Sequence, residues 1–266
     1  MVPEHPYTEA QYTALVLEAA TDAGRILLES GAEIFRVEET MRRIIGYFGV
    51  EHEDIYVLTN GIFISGNRKI DEAYARVLHV PAVGARLDRV IAVNQLSREI
   101  EQGRYTLDQV HERLVEIQKL PSPRLPLQVL ACGLGCGCFS VMFGGSLWDG
   151  AAAVLSGALM QLFMALPGRH MSKLMGSMCC AALGAILCIL CYTVGLGNRL
   201  SLMIIGSMMT LIPGVPFTNG VRDIADGDYL SGLVRMLDAL LVFVGIAVGM
   251  AAVLLIYHRV FGGALL

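Results

Sequence analysis

The sequence predicts an α-helical membrane bundle of about five transmembrane helices, preceded by a small mixed α/β soluble domain. Three observations carry this expectation. Residues 1–124 hold 33 of the 44 Asp, Glu, Lys and Arg residues, whereas residues 125–266 hold 11 and no glutamate. Within 125–266, five charge-poor runs approach the roughly 20 residues that cross a bilayer as a helix. Within 1–124, apolar residues recur first at helical and then at strand spacing. The hydrophobic content of 55% and the net charge of −4 are therefore averages over two unlike halves. They exclude a uniform soluble domain and a disordered chain. They also exclude a nucleic-acid binder, because the basic excess that neutralises phosphates is missing.

In the 1–124 domain, Thr8-x-x-Gln11 reads as a capping box opening a helix through Tyr12, Leu15, Val16, Ala19, Ala23, Ile26 and Leu27. Ser30-Gly31-Ala32-Glu33 ends that helix and caps the next, whose apolar stripe is Ile34, Val37, Met41, Ile44, Ile45 and Phe48. Glu38 with Arg42 and Glu39 with Arg43 are i,i+4 pairs on the opposite face. Asn60-Gly61 between Ile55–Leu58 and Ile62–Ser65 is a strong hairpin signal. Ala75–Val80 reads as a third strand closed by Pro81. Residues 86–102 form a further helix in which Asn94 needs a hydrogen-bond partner, and Thr106-x-x-Gln109 caps another. Pro121, Pro123 and Pro126 make a stiff junction before the bilayer.

The spans are expected near 125–145, 150–167, 174–196, 200–220 and 237–257, with the second, the shortest, the reason four remains the alternative count. Lys119, Arg124, Arg169, Lys173, Arg222 and Arg235 flank the spans on one side, against Arg199 and Arg259 on the other. The positive-inside rule then places the 1–124 domain in the cytoplasm and the C-terminus outside. The first 25 residues contain Glu4, Glu9, Glu18 and Asp22 without an apolar core, so no cleavable signal peptide is expected. All seven cysteines lie in the apolar half and read as small packing residues, Cys188-x-x-Cys191 included.

Polar groups in or beside spans are costly, which makes them functional candidates. Pro213 and Pro216 remove backbone donors, and Gly214 and Gly220 relax backbone sterics, so the end of the fourth span should kink or unwind. Freed backbone groups there, with Thr218 and Asn219, would make a polar substrate site, the alternative being a helix that ends at Pro213. Arg222, Asp223, Asp226, Gly227 and Asp228 follow. Arg235 and Asp238, spaced i,i+3, either neutralise one another or serve a substrate carboxylate and a coupling proton. Asp149, beside Trp148, is either an N-cap or a functional carboxylate. Gly133-x-x-x-Gly137 and Gly245-x-x-x-Gly249 permit close helix approach, within the chain or against a second subunit.

No Walker loop, Gly-x-Ser-x-Gly or paired-histidine metal spacing is present, so neither an ATP-driven motor nor a motif-bearing enzyme is expected, and no cofactor or metal. The acidic residues Glu51, Glu53 and Asp54 read as a solvated strand entrance. Two other classes stay open: a membrane-embedded enzyme using Asp223, Asp226 and Asp228, and a membrane-anchored sensory or scaffold module.

Several segments together resemble a known family. They are Gly31-Ala-Glu-Ile-Phe-Arg-Val-Glu-Glu39, Leu87-Asp-Arg-Val-Ile-Ala-Val-Asn-Gln-Leu96, Trp148-Asp-Gly150, Pro213-Gly-Val-Pro-Phe-Thr-Asn219, Asp228 and Gly232-Leu-Val-Arg235. Over about residues 10–258 the chain resembles the threonine/serine exporter family, specifically the larger subunit of its split form. The resemblance implies export of small hydrophilic metabolites driven by the proton gradient, with threonine, serine or a dicarboxylate such as succinate as substrate. It implies a separately encoded small membrane partner that supplies the second half of the transporter, in a bacterial inner membrane. Carried onto this sequence, it marks Pro213, Gly214, Asn219, Asp223, Gly227, Arg235 and Asp149 for testing.

Overall fold

The computed structural model describes residues 7–50, 53–66, 74–80 and 85–262. Glu4, Glu51 and Pro81, which enter the sequence reading, lie outside the described residues. Two compact units emerge: residues 1–121 with 215–236, and residues 122–214 with 237–266.

In the first unit, α1 (Glu9–Glu29) opens at Thr8 with the expected capping box, Gln11 N donating to Thr8 Oγ1 and Thr8 N to Gln11 Oε1. It stops at Ser30 because Gly31 takes a left-handed φ of +80°, which a side chain at that position would resist. The chain turns within three residues into α2 (Ile34–Tyr47). Val16, Leu17, Ile26 and Leu27 of α1 and Ile34, Met41, Ile44 and Ile45 of α2 are buried in one core, as the helical spacing predicts. The strands β1 (Glu53–Leu58), β2 (Gly61–Gly66) and β3 (Tyr74–His79) form an antiparallel sheet in that order. Leu58 pairs with Gly61 across a two-residue turn of Thr59 and Asn60. Ile55, Val57, Ile62 and Ile64 face the core. Helices α3 (Leu87–Glu101) and α4 (Leu107–Gln118) complete residues 1–121, with Thr106 N donating to Gln109 Oε1 at the start of α4. Asn94 has the partner its position requires, Thr40 Oγ1 at 3.5 Å. Of the two surface pairs, Arg43–Glu39 forms at 2.9 Å, whereas Glu38 accepts from Val57 N at 3.1 Å, covering a donor of β1.

The second unit holds α5 (Leu125–Met142), α6 (Leu147–Ala165), α7 (Lys173–Thr193) and α8 (Leu200–Met208). The last helix, α10, runs continuously over Tyr229–Phe261, and α9 (Gly214–Ala225) precedes it. Among the described residues four helices are long and apolar enough to cross a membrane: α5, α6, α7 and Tyr229–Val260 of α10. The expected fourth span, 200–220, is not one helix. It divides into nine-residue α8 and twelve-residue α9, because Pro213 has no N–H to continue the ladder. The second run, which the sequence made the least certain, is a 19-residue helix.

The glycine pairs act within the chain. A Cβ at Gly133 would come within 2.8 Å of Val154 O, and one at Gly137 within 3.0 Å of Gly150 O, so α5 and α6 touch backbone to backbone. Gly245 and Gly249 fit α10 against α7, where a Cβ on Gly249 would overlap the carbonyl of Met178. Gly249→Val should lower stability by about 1–3 kcal/mol or more, since a backbone carbonyl cannot move aside as a side chain can. Unfolding in detergent that leaves this variant equal to the parent would contradict the packing described. The cysteines are free, and Cys136, Cys180, Cys188 and Cys191 are buried among these helices.

Candidate functional site

The α1–α2 turn, Gly31 to Ile34, is gripped by four of the side chains that the sequence singles out. Asn219 Nδ2 donates to Gly31 O at 2.9 Å, and Arg235 Nη2 donates to Ala32 O at 2.8 Å. Arg222 Nη1 donates to Glu33 Oε1 at 2.9 Å. Ile34 N, the first amide of α2, donates to Asp223 Oδ1 at 3.1 Å. Asn219, Arg222 and Asp223 reach the turn together because they stand at i, i+3 and i+4 on α9. Arg235 reaches it from α10. The two helices cross closely enough for this at Gly220 and Gly232, where a Cβ on Gly220 would lie 3.0 Å from Gly232 O.

Asp223 is the centre of the cluster, 1% exposed. Its Oδ2 lies 3.2 Å from Arg235 Nη1 in an ion pair, yet no donor meets that oxygen with hydrogen-bond geometry. Burial raises the Asp223 carboxyl above its ordinary value of 3.8, opposed by Arg235 and the Ile34 amide and reinforced by Asp228 and Glu33. Asp228 is also raised, by its own burial and then by Asp226. Glu38 follows the same direction through burial, against its bond from Val57. A carboxylate held beside a cation with one oxygen unsatisfied can take up a proton without unravelling its surroundings.

The remaining candidates divide. Pro213 lies in the break between α8 and α9, Gly214 opens α9, and Pro216 sits in its first turn, where a missing N–H costs nothing. Thr218 is helical and its Oγ1 donates to Val215 O at 3.1 Å. Gly227 ends α9 with φ +99°, and Asp228, immediately before α10, accepts from Gly232 N through its carbonyl. The i,i+3 pairing of Arg235 with Asp238 does not form: Arg235 turns to Asp223, and Asp238 pairs with Lys173. Asp149 is fully buried and is not the N-cap. Ser146 caps α6, and Asp149 is the third residue inside it. Its Oδ2 accepts from Ser146 N and Oγ, both at 2.8 Å, while Oδ1 accepts from Asn198 N at 2.6 Å and Arg199 N at 2.9 Å. Four donors on two atoms make Asp149 the rivet between the start of α6 and the loop before α8.

The receiving side of the cluster has no local signature: by its pattern Gly31–Glu33 is a helix boundary, and its one other mark is that the segment beginning there carries the family resemblance. Glu33 Oε1 and the carbonyls of Gly31 and Ala32 become visible as acceptors only when α9 lies against them. Among the described residues no group of three or more His, Cys, Asp or Glu is placed to hold a metal ion.

Four membrane-length apolar helices define a multi-pass membrane protein. The sequence profile of a family described as "Putative threonine/serine exporter" matches residues 18–257. The chain belongs to the threonine/serine exporter family. It is 27% identical to the "Probable succinate transporter subunit YjjP" of Escherichia coli (strain K12), over 91% of this chain and 94% of that one. Identity to the protein of the same name from Klebsiella aerogenes is 26%, over 84% of this chain and 86% of the relative. A "Probable threonine/serine exporter" of Mycobacterium tuberculosis is 22% identical over 90% of this chain but only 45% of its own length. No solved structure shows a significant match.

Proposed function

We propose that the chain is one subunit of a proton-gradient-driven secondary exporter of small hydrophilic metabolites, with the Asn219–Arg222–Asp223–Arg235 cluster handling substrate and proton. The observation that carries this reading is Asp223, a buried carboxylate paired with Arg235 and left with an oxygen no hydrogen bond satisfies. Its place adds weight, since the cluster joins three segments that carried the resemblance: Gly31–Glu39, Pro213–Asn219 and Gly232–Arg235. The relatives' names supply threonine, serine and succinate as the substrates to try.

A separate small membrane protein supplies the second half of the transporter. The word subunit in the relatives' names supports it. Residues 1–124 form a cytoplasmic domain and the C-terminus lies outside a bacterial inner membrane, an orientation that the distribution of basic residues supports and that takes short α8 with the broken segment to Pro213 as a fifth crossing, starting on the side of Asp149. Helix α10 is longer than one crossing requires, because its 32 residues from Tyr229 to Val260 run about 48 Å at 1.5 Å per residue against a hydrocarbon core of about 30 Å. The surplus lets the end bearing Arg235 stand clear of hydrocarbon.

Efflux of the three candidates should require this chain and its partner together and should stop when the proton gradient is dissipated. Full-rate efflux by this chain alone, or efflux indifferent to the gradient, contradicts the reading. The pH dependence follows from Asp223: its raised carboxyl binds a proton as pH falls through a value above 3.8, a step an asparagine cannot make. Asp223→Asn should therefore lose the acid-side change in the efflux–pH profile that this protonation produces in the parent. An unchanged profile removes Asp223 as the coupling group.

A further inference from the structure

The contacts on the α1–α2 turn have the form of a bound ligand. Three donors of α9 and α10, on Asn219, Arg222 and Arg235, meet three acceptors: the carbonyls of Gly31 and Ala32 and the Glu33 carboxylate. One acceptor, Asp223 Oδ1, meets one donor, Ile34 N–H. A small molecule with a carboxylate and an ammonium group would present the same two kinds of group to the same side chains. A dicarboxylate would satisfy the arginines but offer Asp223 no N–H.

We propose that the Gly31–Ile34 turn is an internal occupant of the substrate site, so that a zwitterionic substrate binds only by displacing it. This rests on the exporter reading above and adds to it a gate built from the N-terminal residues. The atoms that Gly31–Ile34 offers the cluster are two backbone carbonyls, one side chain and one amide, so four hydrogen bonds separate the occupied from the open site, while the Ile34 side chain stays in the core. Displacement would free Asp223 from its amide donor, leaving Arg235 and the ligand to decide its charge. The charged groups facing Asp223 throughout are Arg235 on α10, Glu33 before α2 and Asp228 before α10, with Arg222 on its own helix held to Glu33.

The test is hydrogen exchange of the full chain with its membrane partner in detergent, using L-serine, L-threonine and succinate as probes and efflux measured in parallel. Saturating L-serine should speed exchange of the 31–34 peptide by about fivefold or more, the lower end of ordinary coupling between sites. Succinate should do so less. Glu33→Ala, which removes the partner of Arg222 from the turn, should lower the apparent KM for L-serine by a similar factor, an effect that a merely structural turn would not produce. L-serine efflux with unchanged or slower exchange at 31–34 overturns the displacement model while leaving the exporter reading intact. Failure of all three probes to be exported by the assembled complex overturns both.

Discussion

Arg235→Ala should destabilise the unit formed by residues 1–121 and 215–236 by about 3–5 kcal/mol, the usual consequence of removing one partner from a buried ion pair. The side chain of Arg235 is 13% exposed and that of Asp223 1%, so water cannot replace the lost cation. Ala32 O loses its donor at the same time. Most of the cost is the charge left on Asp223, so a second substitution should return part of it. Arg235→Ala with Asp223→Asn should be more stable than Arg235→Ala alone, and the difference is the interaction term of a double-mutant cycle. Denaturant unfolding of the detergent-solubilised protein measures all four corners. A single variant within about 0.5 kcal/mol of the parent, the range of ordinary surface substitutions, means the pair is not buried as described.

Asp149→Ala should cost more than about 3 kcal/mol, because it orphans several donors at once and each buried orphan is worth about 1–3 kcal/mol. The affected groups are Ser146 N, Ser146 Oγ, Asn198 N and Arg199 N. Asp149→Asn should fall between the parent and alanine, since one oxygen can still accept while the amide nitrogen faces donors. Gly197 shares the constraint: its φ is +106°, and a Cβ there would sit 3.0 Å from Asp149 Oδ1. Loss of efflux by Asp149→Asn in proportion to lost folded protein marks a structural rivet. Normal stability with abolished efflux would instead return Asp149 to the list of substrate groups.

These two carboxylates show how far one-dimensional reasoning reached. Both were recognisable as exceptional, since aspartates in or beside apolar runs are rare. Their roles were not recognisable, because each is decided by partners far away in sequence. Asp149 answers to Asn198 and Arg199, and Asp223 to Ile34. The i,i+3 spacing of Arg235 and Asp238 suggested a local pair, and that pairing loses to Asp223 and Lys173. A contact within one helix is worth only about 0.2–0.5 kcal/mol, too little to hold two flexible side chains when a buried partner is available.

Elements with local causes are legible in the chain. Thr8 and Gln11 start α1, Gly31 stops it, Asn60 turns the hairpin together with Thr59, one residue ahead of the expected Asn60–Gly61 pair, and Pro213 breaks the helical run of 200–220. Caps, turns and ladder breaks are settled within four or five residues, so the chain writes them openly. The convergence of Asn219, Arg222, Asp223 and Arg235 on Gly31–Ile34, and the use of the glycine pairs within the chain, come from packing between distant segments. Those outcomes depend on which helix faces lie within about 3 Å of one another. Hydrophobic periodicity records that a face is buried and not what it is buried against.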